Sequence, residues 1–222
     1  KIMEHKKYIP ALKHDWLTKV YDPVLQFTMP ERKFKTALIE RMQIQTGYQI
    51  LDFGCGSLTL SIMAALAYPQ AMFHGVDIDD KILSIAEKKM KSAGVSVKIE
   101  RYDGGKLPYP DSYFDRVMSS LVFHHLTLRQ KCAALDDMYR ILKPSGEVHI
   151  ADFGQPSSAL QRLGFYGVQL LDGFETANDS LKNALPKAMR ETDFELEEKG
   201  VFKTLVGTVR ILRGVKPGKS IL

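Results

Sequence analysis

Alternating strand and helix patterns predict an α/β fold, a mostly parallel sheet with helices on both faces. Three observations support it. From Ile50 to Asp152, short apolar runs alternate with longer stretches of helical periodicity. Turns bearing glycine or proline separate them. The last two strand patterns follow one another without a helix between, which calls for an antiparallel hairpin at the end of the sheet.

The elements follow in order. The stretch up to Met42 has amphipathic helical character (Phe34, Leu38, Ile39, Met42) and is expected to lie across the ligand-bearing edge of the sheet as a helical cap over residues 1–42. Ile50-Leu51-Asp52-Phe53 reads as a buried strand that breaks into Gly54-Cys55-Gly56-Ser57 and opens a helix running to Ala67, with Ser57 as its expected cap. Met72 to Val76 is a second strand, ending in Asp77-Ile78-Asp79. Ile82, Ile85, Ala86 and Met90 then recur at helical spacing, and Gly94 stands where a C-terminal cap belongs. Val95, Val97 and Ile99 alternate with polar residues as a strand near a sheet edge, and Asp103-Gly104-Gly105 opens a loop. A fourth strand begins near Phe114. Leu128, Cys132, Leu135, Met138 and Leu142 mark the next helix, and Lys143-Pro144-Ser145-Gly146 turns it into a fifth strand, Glu147 to Asp152. The glycines and aromatics around Leu163 to Gly167 suggest a lid over residues 153–180. A helix over 181–191, a strand over 194–203, a turn at Gly207 and a strand to Arg213 complete a main domain over residues 43–222.

Composition narrows the function classes. With 222 residues, 45% hydrophobic and 26% charged, the chain has the make-up of one ordinary globular domain with extensions. Cys55 and Cys132 are far apart and match no metal or redox spacing, which fits a reducing compartment. No apolar run approaches the ~18 residues of a membrane span and no signal-peptide core is present, so a cytoplasmic location is expected. The net charge is +5, and from Lys199 onward there are six basic residues, Lys199, Lys203, Arg210, Arg213, Lys216 and Lys219, and no acidic one. Protection of an exposed sheet edge accounts for such a run better than an anionic partner does. Aromatics are not interleaved with it as on a nucleic-acid platform. Membrane-surface contact and oligomeric state stay open.

Gly54 and Gly56 lack a Cβ, so their backbone can lie against a ligand, although a tight turn with no ligand would use the same glycines. The wider pattern decides more. Leu51 to Gly56 (LDFGCG), Gly75 to Ile78 (GVDI), Asp103 to Asp115 (DGGKLPYPDSYFD), Ser119 to Leu126 (SSLVFHHL) and Leu142 to Gly146 (LKPSG), in this order, resemble the class I S-adenosylmethionine-dependent methyltransferases. The similarity is to the small-molecule group that includes the ubiquinone/menaquinone C-methyltransferases, and it covers most of the chain. It implies a Rossmann-like seven-stranded sheet with S-adenosyl-L-methionine at the carboxyl ends of the strands and S-adenosyl-L-homocysteine as product.

Site residues follow from the resemblance and from chemistry together. Asp77, ending the second strand, can accept both ribose hydroxyls, and Ile78 offers an apolar face to adenine; a helix N-cap is the other reading of Asp77. Asp103 and the Gly104 backbone are placed by the family at the adenine, though Asp-Gly also suits a plain turn. Asp52 could balance the positive charge of the methionine portion, and Ser120 lines the exit of the fourth strand. Tyr21, in Val20-Tyr21-Asp22, is similar to a segment of the quinone methyltransferases that closes over the cofactor; anchoring of an N-terminal helix explains it equally. Trp16, Phe165 and Tyr166 are candidates for an apolar acceptor pocket or for core packing.

The implied reaction moves the sulfonium methyl to a nucleophile by in-line displacement, so alignment and water exclusion are the main tasks. His124 and His125 follow the fourth strand, and either could accept a proton near neutral pH, or one could pack and the other shape the pocket. No metal site is expected. The chain departs from the family's pattern at Leu58, where a third glycine is common, at Ser145 and at Asp193, where the left-handed conformation is expected to be tolerated. A small molecule is the expected acceptor, with a quinone precursor, an amine or a lipid headgroup open, because the segment after the fourth strand lacks an Asn-Pro-Pro-Tyr signature of base methylation. Two other functions stay open: an NAD(P)-dependent oxidoreductase, disfavoured because Thr59 breaks G-x-G-x-x-G, and a protein that binds S-adenosylmethionine without catalysis.

Overall fold

Why these segments form one sheet is clear from their burial in the computed structural model, which describes residues 31–154, 183–204 and 207–218. Trp16, Tyr21, Phe165, Tyr166 and the expected lid lie outside the described residues, except Phe153 and Gly154, which belong to a strand. Seven strands pair in the order β3-β2-β1-β4-β5-β7-β6. They are β1 (Gln49–Phe53), β2 (Met72–Asp77), β3 (Val97–Arg101), β4 (Phe114–Ser120), β5 (Leu142–Gly154), β6 (Glu195–Thr204) and β7 (Gly207–Val215). The first five run parallel, while β7 pairs antiparallel with both β5 and β6. The central strands are buried on both sides, as helix-covered parallel strands must be.

The helices are α1 (Glu31–Arg41), α2 (Thr59–Ala67), α3 (Asp80–Ala93), α4 (Leu128–Ile141) and α5 (Ala184–Glu191). Two apolar clusters form the core. One gathers Phe34, Leu38, Leu58, Leu60, Ala64, Leu83 and Ala86 from α1, the first turn, α2 and α3. The other gathers Leu135, Met138, Leu185 and Met189 from α4 and α5. Alternate residues of β1, Ile50 and then Leu51 and Phe53, enter opposite clusters, which is the period-two signature of a strand between two layers. The α1 helix packs against β5, β7 and α2.

Three expectations need adjusting. Ser57 does not cap α2; Leu58 is the cap residue, with φ 62° and ψ 20° and no side-chain cap bond. On α3 the buried stripe is Leu83 and Ala86, while Ile85 is 49% exposed. Residues 143–146 bulge out within β5, where the pairing jumps from Phe114↔Leu142 to Arg116↔Glu147. Ser145 (φ 62°) and Asp193 (φ 61°) both hold the left-handed conformation where a glycine is common.

Two residues of the basic run are paired within the fold. Arg213 forks onto Glu147 at 2.8 and 2.7 Å and reaches Glu197 at 2.7 Å, while Lys216 donates to the carbonyls of Tyr139 and Leu142. Among the described residues, no helix is long and apolar enough to cross a membrane.

Candidate active site

Strand order sets the location. β1 leads outward to β2 and β3 on one side, and β4 and β5 lie on the other, so the order reverses between β1 and β4. A crevice opens at the carboxyl ends of strands that diverge in this way. The turn after β1 and the segment after β4 meet there.

The β1 turn is shaped from beneath. The amides of Gly54 and Cys55 both donate to the carbonyl of Val76, at 2.9 and 3.0 Å, which bends the chain back over β2. Gly54 has φ 68°, and a Cβ there would stand 2.5 Å from a methyl of Val122, so glycine is required at this position by the protein itself. Gly56 has φ 50° and no described residue within 4 Å of where its Cβ would be. Its amide donates to Asp77 at 2.8 Å. Leu58, where a third glycine is common, is fully buried in the left-handed conformation. A left-handed non-glycine residue costs roughly 1–2 kcal/mol, and burying a leucine side chain returns about 1.5–3 kcal/mol. The seat for that side chain is Gly75, whose absent Cβ would stand 3.1 Å from Leu58 and 3.0 Å from the Cys55 sulfur.

Asp77 is half-buried at the exit of β2. Its Oδ2 accepts from Gly56 and its Oδ1 from the Asp79 amide at 3.1 Å, leaving each oxygen with further acceptor capacity. The helix-cap reading belongs to Asp79 instead, which accepts from Lys81 and Ile82 at the start of α3. Ile78 beside it is 38% exposed, an apolar surface at the mouth of the crevice. Asp103 is exposed and accepts from Gly105 at 2.8 Å as a local turn, and Gly104 (φ 85°) has open space where a Cβ would stand. The Ser120 hydroxyl is buried at the exit of β4 and has no hydrogen-bond partner among the described residues.

Asp52 stands apart from these. It is 2% exposed, and its carboxylate accepts from the Ser61 hydroxyl of α2 at 2.6 Å. Burial pushes its pKa up to about 6, against the opposing effects of Ser61 and Lys35. Its side chain is thus turned beneath the helix that follows the turn.

After β4 the chain forms one 3₁₀ turn, Phe123–His125, held by a residue that sequence reasoning missed. The buried Asp152 of β5 accepts from the amides of Val122 and Phe123 at 3.0 and 2.6 Å through Oδ2. Through Oδ1 it meets Nδ1 of His124 at 2.8 Å and its neighbour's amide, Phe153, at 2.6 Å. Burial alone would raise the Asp152 pKa, but His124 and these donors outweigh it and hold the carboxyl below its ordinary value. An ionised carboxylate can only accept, so Nδ1 of His124 carries the proton. His125 keeps exposed surface, yet its ring lies 3.9 Å from that of His124; lost hydration, then the neighbouring ring, lower its pKa. The signal for Asp152 in the sequence was its place at the end of the fifth strand beside the segment after the fourth.

These features fit the adenosyl cofactor that the sequence resemblance implies. Among the described residues, Gly56 and Gly104 leave backbone open for close approach, Asp77 and Asp103 supply carboxylate acceptors at adjacent strand exits, and Ser120 has a buried hydroxyl without a partner. Among the described residues no group of side chains could hold a metal ion.

Comparison with known proteins agrees with the geometry. Residues 50–146 match the family model described as a methyltransferase domain. The ubiquinone/menaquinone biosynthesis C-methyltransferase of Bordetella avium is 31% identical over 152 residues, which is 67% of this chain and 59% of that protein. The demethylmenaquinone methyltransferase of Listeria welshimeri is 31% identical over 127 residues, 56% of this chain and 53% of that protein. The chain therefore spans between 53% and 59% of the length of these relatives. Among solved structures, a putative methyltransferase from Bacillus halodurans shares the fold with a TM-score of 0.70 at 18% identity, covering 82% of this chain and 98% of that one. Sheet order, the turn at the switch point and the family match lead to one assignment: the chain carries a methyltransferase domain over residues 50–146, built on a seven-stranded Rossmann-like sheet.

Proposed function

We propose that this chain transfers a methyl group from S-adenosyl-L-methionine to a small-molecule acceptor of the quinone-precursor type. The observation that carries the reading is the junction of the glycine turn with the Asp152-held His124 at the switch point, where Val122 packs directly over Gly54. The acceptor class is supported by the names of the relatives that are 31% identical, both of them quinone methyltransferases.

When bound, the cofactor supplies an activated methyl on a sulfonium sulfur, and its carbon–sulfur bond breaks as the acceptor's bond forms. The protein's part is to align, exclude water and manage one proton. Asp77 would accept from the ribose hydroxyls, while Ile78 and the Gly104 backbone would flank the adenine. Ser120 adds a hydroxyl at the β4 exit. A carbon acceptor on a quinol ring must lose a proton, and the tautomer of His124 set by Asp152 makes Nε2 its basic nitrogen. General base catalysis of this kind contributes typically 10²–10⁴-fold.

Label transfer tests the acceptor. With a methyl-labelled cofactor, a demethylated quinol should take up label, whereas amines and phospholipid headgroups offered at the same concentration should not. Label in an amine or headgroup, with none in the quinol, would overturn the acceptor class.

A further inference from the structure

Leu58 occupies a left-handed position that glycine would take unaided, and a second contact besides its own burial bears on the turn there. Lys89 of α3 reaches across to that point. Its Nζ donates to Ser57 Oγ at 2.9 Å and to Thr59 Oγ1 at 2.8 Å, the two hydroxyls flanking Leu58. The same hydroxyls lie 3.4 Å from each other. Helix stability does not explain the placement. An ammonium at a helix N-terminus has the unfavourable sign for the macrodipole, and α2 has neither an acidic residue in its first turn nor a side-chain cap. What the contact does is fix two successive side chains on either side of the strained residue, and with them the backbone that runs back to Gly56.

From this geometry we infer that Lys89 is a positioning residue of the cofactor turn, clipping the Ser57 and Thr59 hydroxyls so that a turn lacking its third glycine keeps its shape. The role rests on the reading of this turn as an S-adenosylmethionine site. Ser57 stands one residue ahead of the cap position of α2, where its hydroxyl accepts from Lys89. Partial burial already weakens the ammonium's hold on its proton, so the two hydroxyl acceptors compensate a desolvated cation.

The test uses S-adenosylhomocysteine binding by calorimetry, thermal unfolding, and amide exchange of residues 56–58 in the unliganded protein. Lys89→Met should weaken binding roughly tenfold, the scale of losing hydrogen bonds from a charged donor. It should speed exchange at the turn and leave the melting temperature nearly unchanged, because Lys89 stands outside the apolar core. Lys89→Arg, which keeps donors and charge, should restore most of the affinity. A double-mutant cycle sharpens the point: in a Leu58→Gly background the Lys89→Met change should cost less, because glycine takes the conformation without a clip. Unchanged affinity in Lys89→Met, or an equal loss in both backgrounds, would overturn the inference. Absence of binding by the unaltered chain would instead overturn the cofactor assignment on which it rests.

Discussion

Asp152 fixes His124 through a 2.8 Å contact to Nδ1 while the same carboxylate holds the amides of Val122 and Phe123, so one buried residue sets both the imidazole and the loop that carries it. Removing the charge while keeping the shape separates these two effects. Asp152→Asn should lower turnover by about 10²-fold or more, since Asn can present its amide to Nδ1 and favour the other tautomer. Substrate affinity should change far less. Single His124→Gln and His125→Gln variants should divide the roles, with turnover lost in the first and largely kept in the second. Normal turnover in both would end the base assignment.

Asp77 links Gly56 to the proposed ribose site, and Asp77→Ala removes an anionic acceptor from both. Binding of S-adenosylhomocysteine should weaken by roughly 10- to 150-fold, the range of about 1.5–3 kcal/mol for hydrogen bonds to charged groups. Calorimetry on the folded variant measures it, and an affinity equal to the parent would remove Asp77 from the site.

The raised pKa of Asp52 makes a stability prediction with a definite sign. Folded, its pKa is about 6; unfolded, it lies near 3.9, so between these values the folded state binds more protons. Stability from this group is present below about pH 4 and is lost as pH rises through about 6. At pH 7.5 the buried charge costs on the order of 1–3 kcal/mol. Asp52→Asn, which can still accept from Ser61, should therefore raise the urea midpoint at pH 7.5 more than at pH 5. An equal effect at both values would contradict it.

At the opposite end of β5, Glu147 is buried against Arg213, His149 and Arg116, the last at 3.4 Å. Burial raises its pKa, but the Arg213 hydrogen bonds, His149 and Arg116 more than offset this and hold it well below the usual range. Glu147→Ala strands buried cations and should cost about 3–5 kcal/mol of stability. Denaturant unfolding checks the loss, and calorimetry at low temperature should find cofactor affinity close to that of the parent.

Much of the fold was legible because its signals are local. Alternation in Val97 and Ile99, the apolar run of β2, and Gly94 as a helix end each report a single element. The strand pair at the end followed from a missing helix. Less legible were features that depend on partners distant in sequence. Asp152 looked like any strand-end carboxylate, and only its approach to His124, 28 residues earlier, shows what it holds. Gly75 read as part of a motif, whereas its place in β2 makes room for Cys55 and Leu58. Ile85 shared the helical spacing of its neighbours, but α3 turns Leu83 and Ala86 to the sheet, a choice made by packing and not by periodicity.

The measurement that tests the central claim most directly is calorimetric titration of the purified chain with S-adenosylmethionine, S-adenosylhomocysteine and NADH. The account predicts saturable binding of both sulfur compounds, with affinity lost in Asp77→Ala, and no binding of NADH. Binding of NADH with no response to either sulfur compound would contradict it.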